Sequence, residues 1–95
     1  MTVTFEGGGY SVKCQDVNGW AFLHSLKGKG EAATLSEFLD AVMETLRQQG
    51  DPVVACTAER SSAKRLYQRL GFTALGERWN GHEVFVKLPV PTITA

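Results

Sequence analysis

The residues of this 95-residue chain best suited to chemistry gather in one short run, Lys27-Gly28-Lys29-Gly30-Glu31-Ala32. Two glycines remove side chains that would hold a ligand off the backbone, and two lysines add mobile positive charge. A glycine-rich loop leading from a strand into a helix offers unpaired N–H groups at the positive end of the helix dipole, which is chemistry for gripping phosphates. Loops of this kind carry distinguishable signatures. The nucleotide P-loop ends in Gly-Lys-Ser/Thr, and here Gly28-Lys29 is followed by Gly30, so that pattern fails. Gly28 to Ala33 does satisfy the dinucleotide pattern G-x-G-x-x-A, with Glu59 after the next strand as a candidate ribose ligand. The chain is too short for two βαβαβ halves, however, and its first strands read as antiparallel. Cys14 and Cys56 lie far apart and match no metal spacing, so no metal is expected. They read as reduced thiols of a cytoplasmic protein, Cys56 serving packing.

Composition limits the partners. Ten basic and ten acidic residues cancel, so no net charge draws polyanions from a distance, and nucleic-acid binding is not expected. With 43% apolar and 21% charged residues the chain reads as one ordinary folded domain spanning residues 1–95. The first residues, "MTVTFEGGGY", read as neither a signal nor a transit peptide, and no apolar run reaches membrane-spanning length.

The elements that must position the loop follow from local patterns. "TVTFE" (2–6) and "YSVKC" (10–14), split by three glycines, predict a hairpin. "DVNG" (16–19) turns the chain into a third strand, "WAFLHSL" (20–26). After the loop, Leu35, Phe38, Leu39, Val42, Met43 and Leu46 recur at helical spacing as one wide stripe. Thr34 with Glu37 would make a capping box that starts this helix at Thr34, whereas a phosphate site needs a start nearer Gly30; the pattern leaves both open. Gly50 and Pro52 end the helix. "VVACT" (53–57) is a short apolar strand, and "SSAKRLYQRL" (61–70) is a second helix closed by Gly71. "FTALGERW" (72–79) and "HEVFVKLPV" (82–90) flank Asn80-Gly81, a strong hairpin signal. The predicted order is β-β-β-α-β-α-β-β. This is an α/β (mixed α+β) fold in which a crossover helix joins an antiparallel meander to a parallel pair.

Two segments carry a family resemblance. Lys27, Gly30 and Ala32 sit at the first, fourth and sixth positions of a hexapeptide that resembles the acetyl-CoA pyrophosphate motif of the GNAT (general N-acetyltransferase) family, Arg/Gln-x-x-Gly-x-Gly/Ala. One strand and one helix later, Leu66, Tyr67, Gly71 and Phe72 resemble that family's Leu-Tyr-x-x-x-Gly-Phe ending. The likeness covers about residues 20–90. It is closest to minimal, phage-encoded members that begin at the antiparallel hairpin, without the opening strand and two helices of the acceptor wall. Arg60 stands where many members carry Asn near the pantetheine arm, three residues before Ala63.

The resemblance implies an enzyme that moves acetyl from acetyl-CoA directly to an amine, with no metal and no covalent enzyme intermediate. It implies that backbone amides around Phe22, Leu23 and His24 hold the thioester and pantetheine, that residues Lys27 to Ala32 hold the diphosphate, and that Arg60 and Ala63 flank the cofactor. Tyr67 would donate a proton to the departing sulfur. His24 is the foremost candidate base, with Glu6, Glu77 and Glu83 as rivals. An open acceptor side suits an amine on a protein, lysine or N-terminus, and a homodimer could complete it. Trp20 and Trp79 read either as core or as lining of that side. The competing expectation is a GNAT-fold module that binds CoA or a protein without catalysis.

Overall fold

A computed structural model of the chain describes residues 2–29, 32–58 and 61–89, the side chains of 32, 33, 61 and 62 excepted. Glu59, Gly30, Glu31 and Arg60 lie outside the described residues, as do the side chain of Ala32 and the tail from residue 90. The elements run β1 (Thr2–Gly7), β2 (Tyr10–Val17), β3 (Trp20–Gly28), α1 (Ala32–Gln48), β4 (Val54–Ala58), α2 (Ser61–Arg69), β5 (Thr73–Trp79) and β6 (His82–Lys87). Each hairpin closes on two residues of positive φ, Gly8-Gly9, Asn18-Gly19 and Asn80-Gly81. These are type I′ turns, whose twist matches the flanking strands. Asp16 Oδ1 braces the second by accepting a bond from the Gly19 N–H at 3.0 Å.

One six-stranded mixed sheet results, in the order β1-β2-β3-β4-β6-β5. Only β3 and β4 are parallel, and α1 makes the crossover between them. The second crossover, α2, runs from β4 past β6 to β5 in the same direction across the sheet. Two right-handed crossovers travelling the same way place both helices on one face. The core confirms this: Phe38, Leu39, Val42 and Leu46 of α1 join Leu66 and Tyr67 of α2 in one cluster. The strands contribute Tyr10, Val12, Ala21, Leu23, Val54, Cys56 and Phe85, alternate residues that all face the helices. Each fully buried Val, Leu or Phe among them contributes about 1.5–3 kcal/mol by leaving water. Ala55 and Val84 are buried yet belong to the opposite face, which carries neither helix.

The helix ends obey local rules. At the end of α2 the Gly71 N–H donates to the Gln68 carbonyl (3.2 Å) and the Phe72 N–H to the Tyr67 carbonyl (2.9 Å). That is a Schellman cap, with Gly71 at φ 94° in its left-handed position. Its accompanying apolar contact is Tyr67 against Phe72, ring centroids 5.6 Å apart. The spacing Leu-Tyr-x-x-x-Gly-Phe therefore has a complete structural reason. Helix α1 starts at Ala32, so Thr34 lies inside the first turn and the capping-box start is set aside.

Candidate functional site

The third and fourth strands part company before they end. Their parallel register runs Ala21 with Val54, Phe22 with Ala55 and Leu23 with Cys56, and stops there. Yet β3 continues to Gly28 and β4 to Ala58. The cause lies on the other side of β3. Lys13 pairs with His24 and Ser11 with Lys27, so Ser25 and Leu26 together stand opposite Val12. Ser25 takes φ 56°, the left-handed turn of a β-bulge, which bends the strand away from β4. A wedge opens between parallel strands at their carboxyl ends, where α/β sheets receive ligands. Beyond His24, which pairs with Lys13 of β2, the main-chain groups of β3 on that side lie outside the ladder with β4.

Both helices begin at the mouth of this wedge. α1 follows β3 and α2 follows β4, and neither carries an acidic residue in its first turn. Two positive dipole ends thus converge on one place, and Glu31 and Glu59, which stand just before the two helices, lie outside the described residues. Lys27 is exposed near the end of β3 and Lys29 on the connection from β3 to α1. Gly30, Glu31 and Arg60, the other residues expected here, fall outside the described residues.

The structure gives Gly28 a task in the protein's own packing. A Cβ built there at φ 147° would overlap the Tyr10 ring and come within 2.6 Å of the Gly9 carbonyl oxygen and 2.9 Å of the Tyr10 Cα. The absent side chain is therefore required by the protein's own β2, whose Tyr10 stacks on Phe38 with ring centroids 6.0 Å apart. Of the residues expected to offer amides, Phe22 and Leu23 sit inside the ladder with β4 and His24 pairs with Lys13 of β2, so the open stretch starts beyond His24.

On the helix-free face, three rings form a triangle. Phe22 and His24 lie 5.6 Å apart, Phe22 and Trp79 5.1 Å, and His24 and Trp79 5.4 Å. Trp79 belongs to the outermost strand, two strands beyond β4. It reaches β3 because β5 holds four residue steps, Ala74 to Arg78, against two in β6, and this large bulge curls its end over the sheet. Trp79 thus lines this face at 39% exposure, and Trp20 at 38% is likewise not core. His24 Nδ1 shares a 2.9 Å hydrogen bond with Ser25 Oγ. Its Nε2 is buried and has no partner among the described residues. A buried ring nitrogen left without a partner costs free energy, so it marks a place where a ligand atom would be welcome. Ser25, which both makes the bulge and orients the histidine, carried no signal in the sequence.

Tyr67 lies on the helix side. It is 4% exposed, with its ring against Phe72 and, at 6.1 Å, Phe85. Ala63, half-buried, packs against the same core. His24 and Tyr67 are thus separated by the sheet itself. Of the rival bases, Glu83 is engaged by Lys64 at 3.4 Å, Glu77 lies exposed in the β5 bulge, and Glu6 sits two strands from the wedge. Among the described residues no cluster of His, Cys, Asp or Glu could hold a metal ion, and no helix is long and apolar enough to cross a membrane. Compared with known proteins, the chain matches no family model and no curated entry, so its chemistry is read from its own residues.

Proposed function

We propose that the chain is an acetyl-CoA-dependent N-acetyltransferase with a minimal GNAT-like fold, acting on an amine of a protein in the cytoplasm. The carrying observation is the wedge: main chain free of the β3–β4 ladder, two helix N-termini at its mouth with no acidic residue in their first turns, and Lys27 and Lys29 on the strand end and connection that lead into α1. The strand order and the two resembling segments favour the same reading, and two free cysteines suit a reducing compartment.

The donor set fits a thioester on a long amide-bearing arm with a diphosphate at its end. When bound, acetyl-CoA supplies an activated acetyl group. Main-chain N–H groups of β3 beyond His24 would polarise the carbonyl and hold the arm's amides. The α1 N-terminus and the two lysines would hold the diphosphate. His24 Nε2 would accept the proton of the incoming ammonium, its ring held by Ser25, and the Tyr67 phenol would return a proton to sulfur. Fixing both reactants in line supplies up to ~7–11 kcal/mol of barrier reduction.

A second reading, a CoA-binding module without catalysis, is favoured by the depth of Tyr67 in the core. Labelled acetyl-CoA with a mixed peptide pool separates the two. Transfer that falls at least tenfold in Tyr67→Phe, with CoA heat by calorimetry unchanged, is the enzyme's expected result, on the order of one proton-transfer contribution. Binding heat without transfer in wild type supports the module, and no heat with CoA removes both.

A further inference from the structure

We propose that the β1 edge is the interface for a second copy of this chain, pairing antiparallel and centred on Thr4. This inference is independent of acetyl transfer.

The two edges of the sheet are built differently. β5 carries Glu77 and Arg78, a large bulge and Gly76, the devices that discourage edge-to-edge pairing. β1 has no bulge and a single charge, Glu6. It pairs with β2 in unbroken register from Thr2–Gln15 to Gly7–Tyr10, without lysine, arginine or proline. Val3 is 49% exposed. Beside the strand a groove of about 350 Å³ runs along α1, lined by Phe5, Gly7, Phe38, Ala41, Val42 and Thr45.

The hairpin decides which groups face outward. Around a two-residue turn the flanking pair, Gly7 with Tyr10, is hydrogen-bonded, and bonded pairs then alternate along the ladder. Phe5 and Val3 therefore bond to β2, while Thr2, Thr4 and Glu6 turn their N–H and C=O toward the open edge. A two-fold axis at Thr4 sets Thr4 against Thr4 of the second copy and Thr2 against Glu6 of it. Each of these pairs exchanges two hydrogen bonds, and every outward group of the strand is used. Shifting the axis by one residue either way leaves one outward position of each strand unpaired.

The side chains agree with that register. On the helix side Val3 meets Phe5 of the second copy, an apolar pair at the mouth of the groove. On the other face threonine meets threonine. Glu6 of each copy shares that face with Lys13 of the other, because Lys13 lies beside Thr4 in the β1–β2 ladder. No like charges oppose one another, and the contact is isologous, so it closes as a dimer. Self-complementarity of this completeness selects a second copy over a foreign strand.

Sedimentation equilibrium on the intact chain, over a concentration series, tests this. Wild type and the opposite-edge control Leu75→Lys should approach twice 10.4 kDa, while Val3→Lys and Thr4→Pro should stay at 10.4 kDa with unchanged circular dichroism. Hydrogen exchange on wild type is the check if a variant misfolds. The Thr2, Thr4 and Glu6 amides should exchange more slowly as concentration rises. A wild type that remains at 10.4 kDa with those amides exchanging freely overturns the pairing and leaves the edge to a strand from another protein. A dimer that survives both edge substitutions overturns it as well.

Discussion

Gly28→Ala separates the two tasks that one glycine could perform. The new methyl would overlap the Tyr10 ring and approach main-chain atoms at 2.6 and 2.9 Å, and backbone can yield little. Overpacking of this kind costs about 1–3 kcal/mol. A φ of 147° is closed to residues with a Cβ and adds about 1–3 kcal/mol of backbone strain. The expected loss is about 2–6 kcal/mol, which for a domain of this size lowers the melting temperature by at least about 8 °C. Gly76→Ala is the control. Its φ is 85° but nothing lies within 4 Å of a Cβ, so only the conformational part, about 1–2 kcal/mol, should appear. Urea denaturation followed by tryptophan fluorescence and by circular dichroism measures both. If Gly28→Ala costs no more than Gly76→Ala, and instead weakens CoA binding alone, the glycine serves the ligand and the packing argument is wrong.

Other expectations follow from single features. Removing both lysines, Lys27→Ala with Lys29→Ala, should weaken CoA binding about five- to tenfold at low salt and leave stability unchanged, since each exposed charge contributes at most about 1 kcal/mol; calorimetry at two ionic strengths reads this. Trp79→Ala should cost about 2 kcal/mol, less than a fully buried ring, and should speed carbethoxylation of His24 by uncovering Nε2, read by mass spectrometry. In thiol labelling, half-buried Cys14 should react first and Cys56, at 1% exposure, only on unfolding. Burial pushes the Cys56 thiol well above its usual value of 9.0, so above that pH the unfolded chain releases a proton that the native chain retains. Stability should therefore fall as pH rises past 9.0, by about 1.4 kcal/mol per unit, and Cys56→Ala should flatten the slope.

The sequence by itself determined what short-range forces decide. Asn18-Gly19 and Asn80-Gly81 accept two successive positive φ values, so the hairpins were readable from the residue pairs. The stripe from Leu35 to Leu46 specified the buried face of α1, and Gly71 specified the end of α2, because stripe and cap are set by spacing within one element. The order of elements along the chain and the parallel β3–β4 pair followed from those elements and the handedness of crossovers, whereas the place of β6 between β4 and β5 emerged only in the sheet. Tertiary structure alone decided where the β3–β4 ladder stops, since that depends on a bulge at Ser25 that no local preference announces. It also decided that Tyr10 fills the space Gly28 leaves, that Tyr67 packs into the core, and that Trp79 reaches His24 from the far edge of the sheet. Each is a contact between residues distant along the chain, and register and curvature accumulated over several strands, not the preference of any one residue, bring them together.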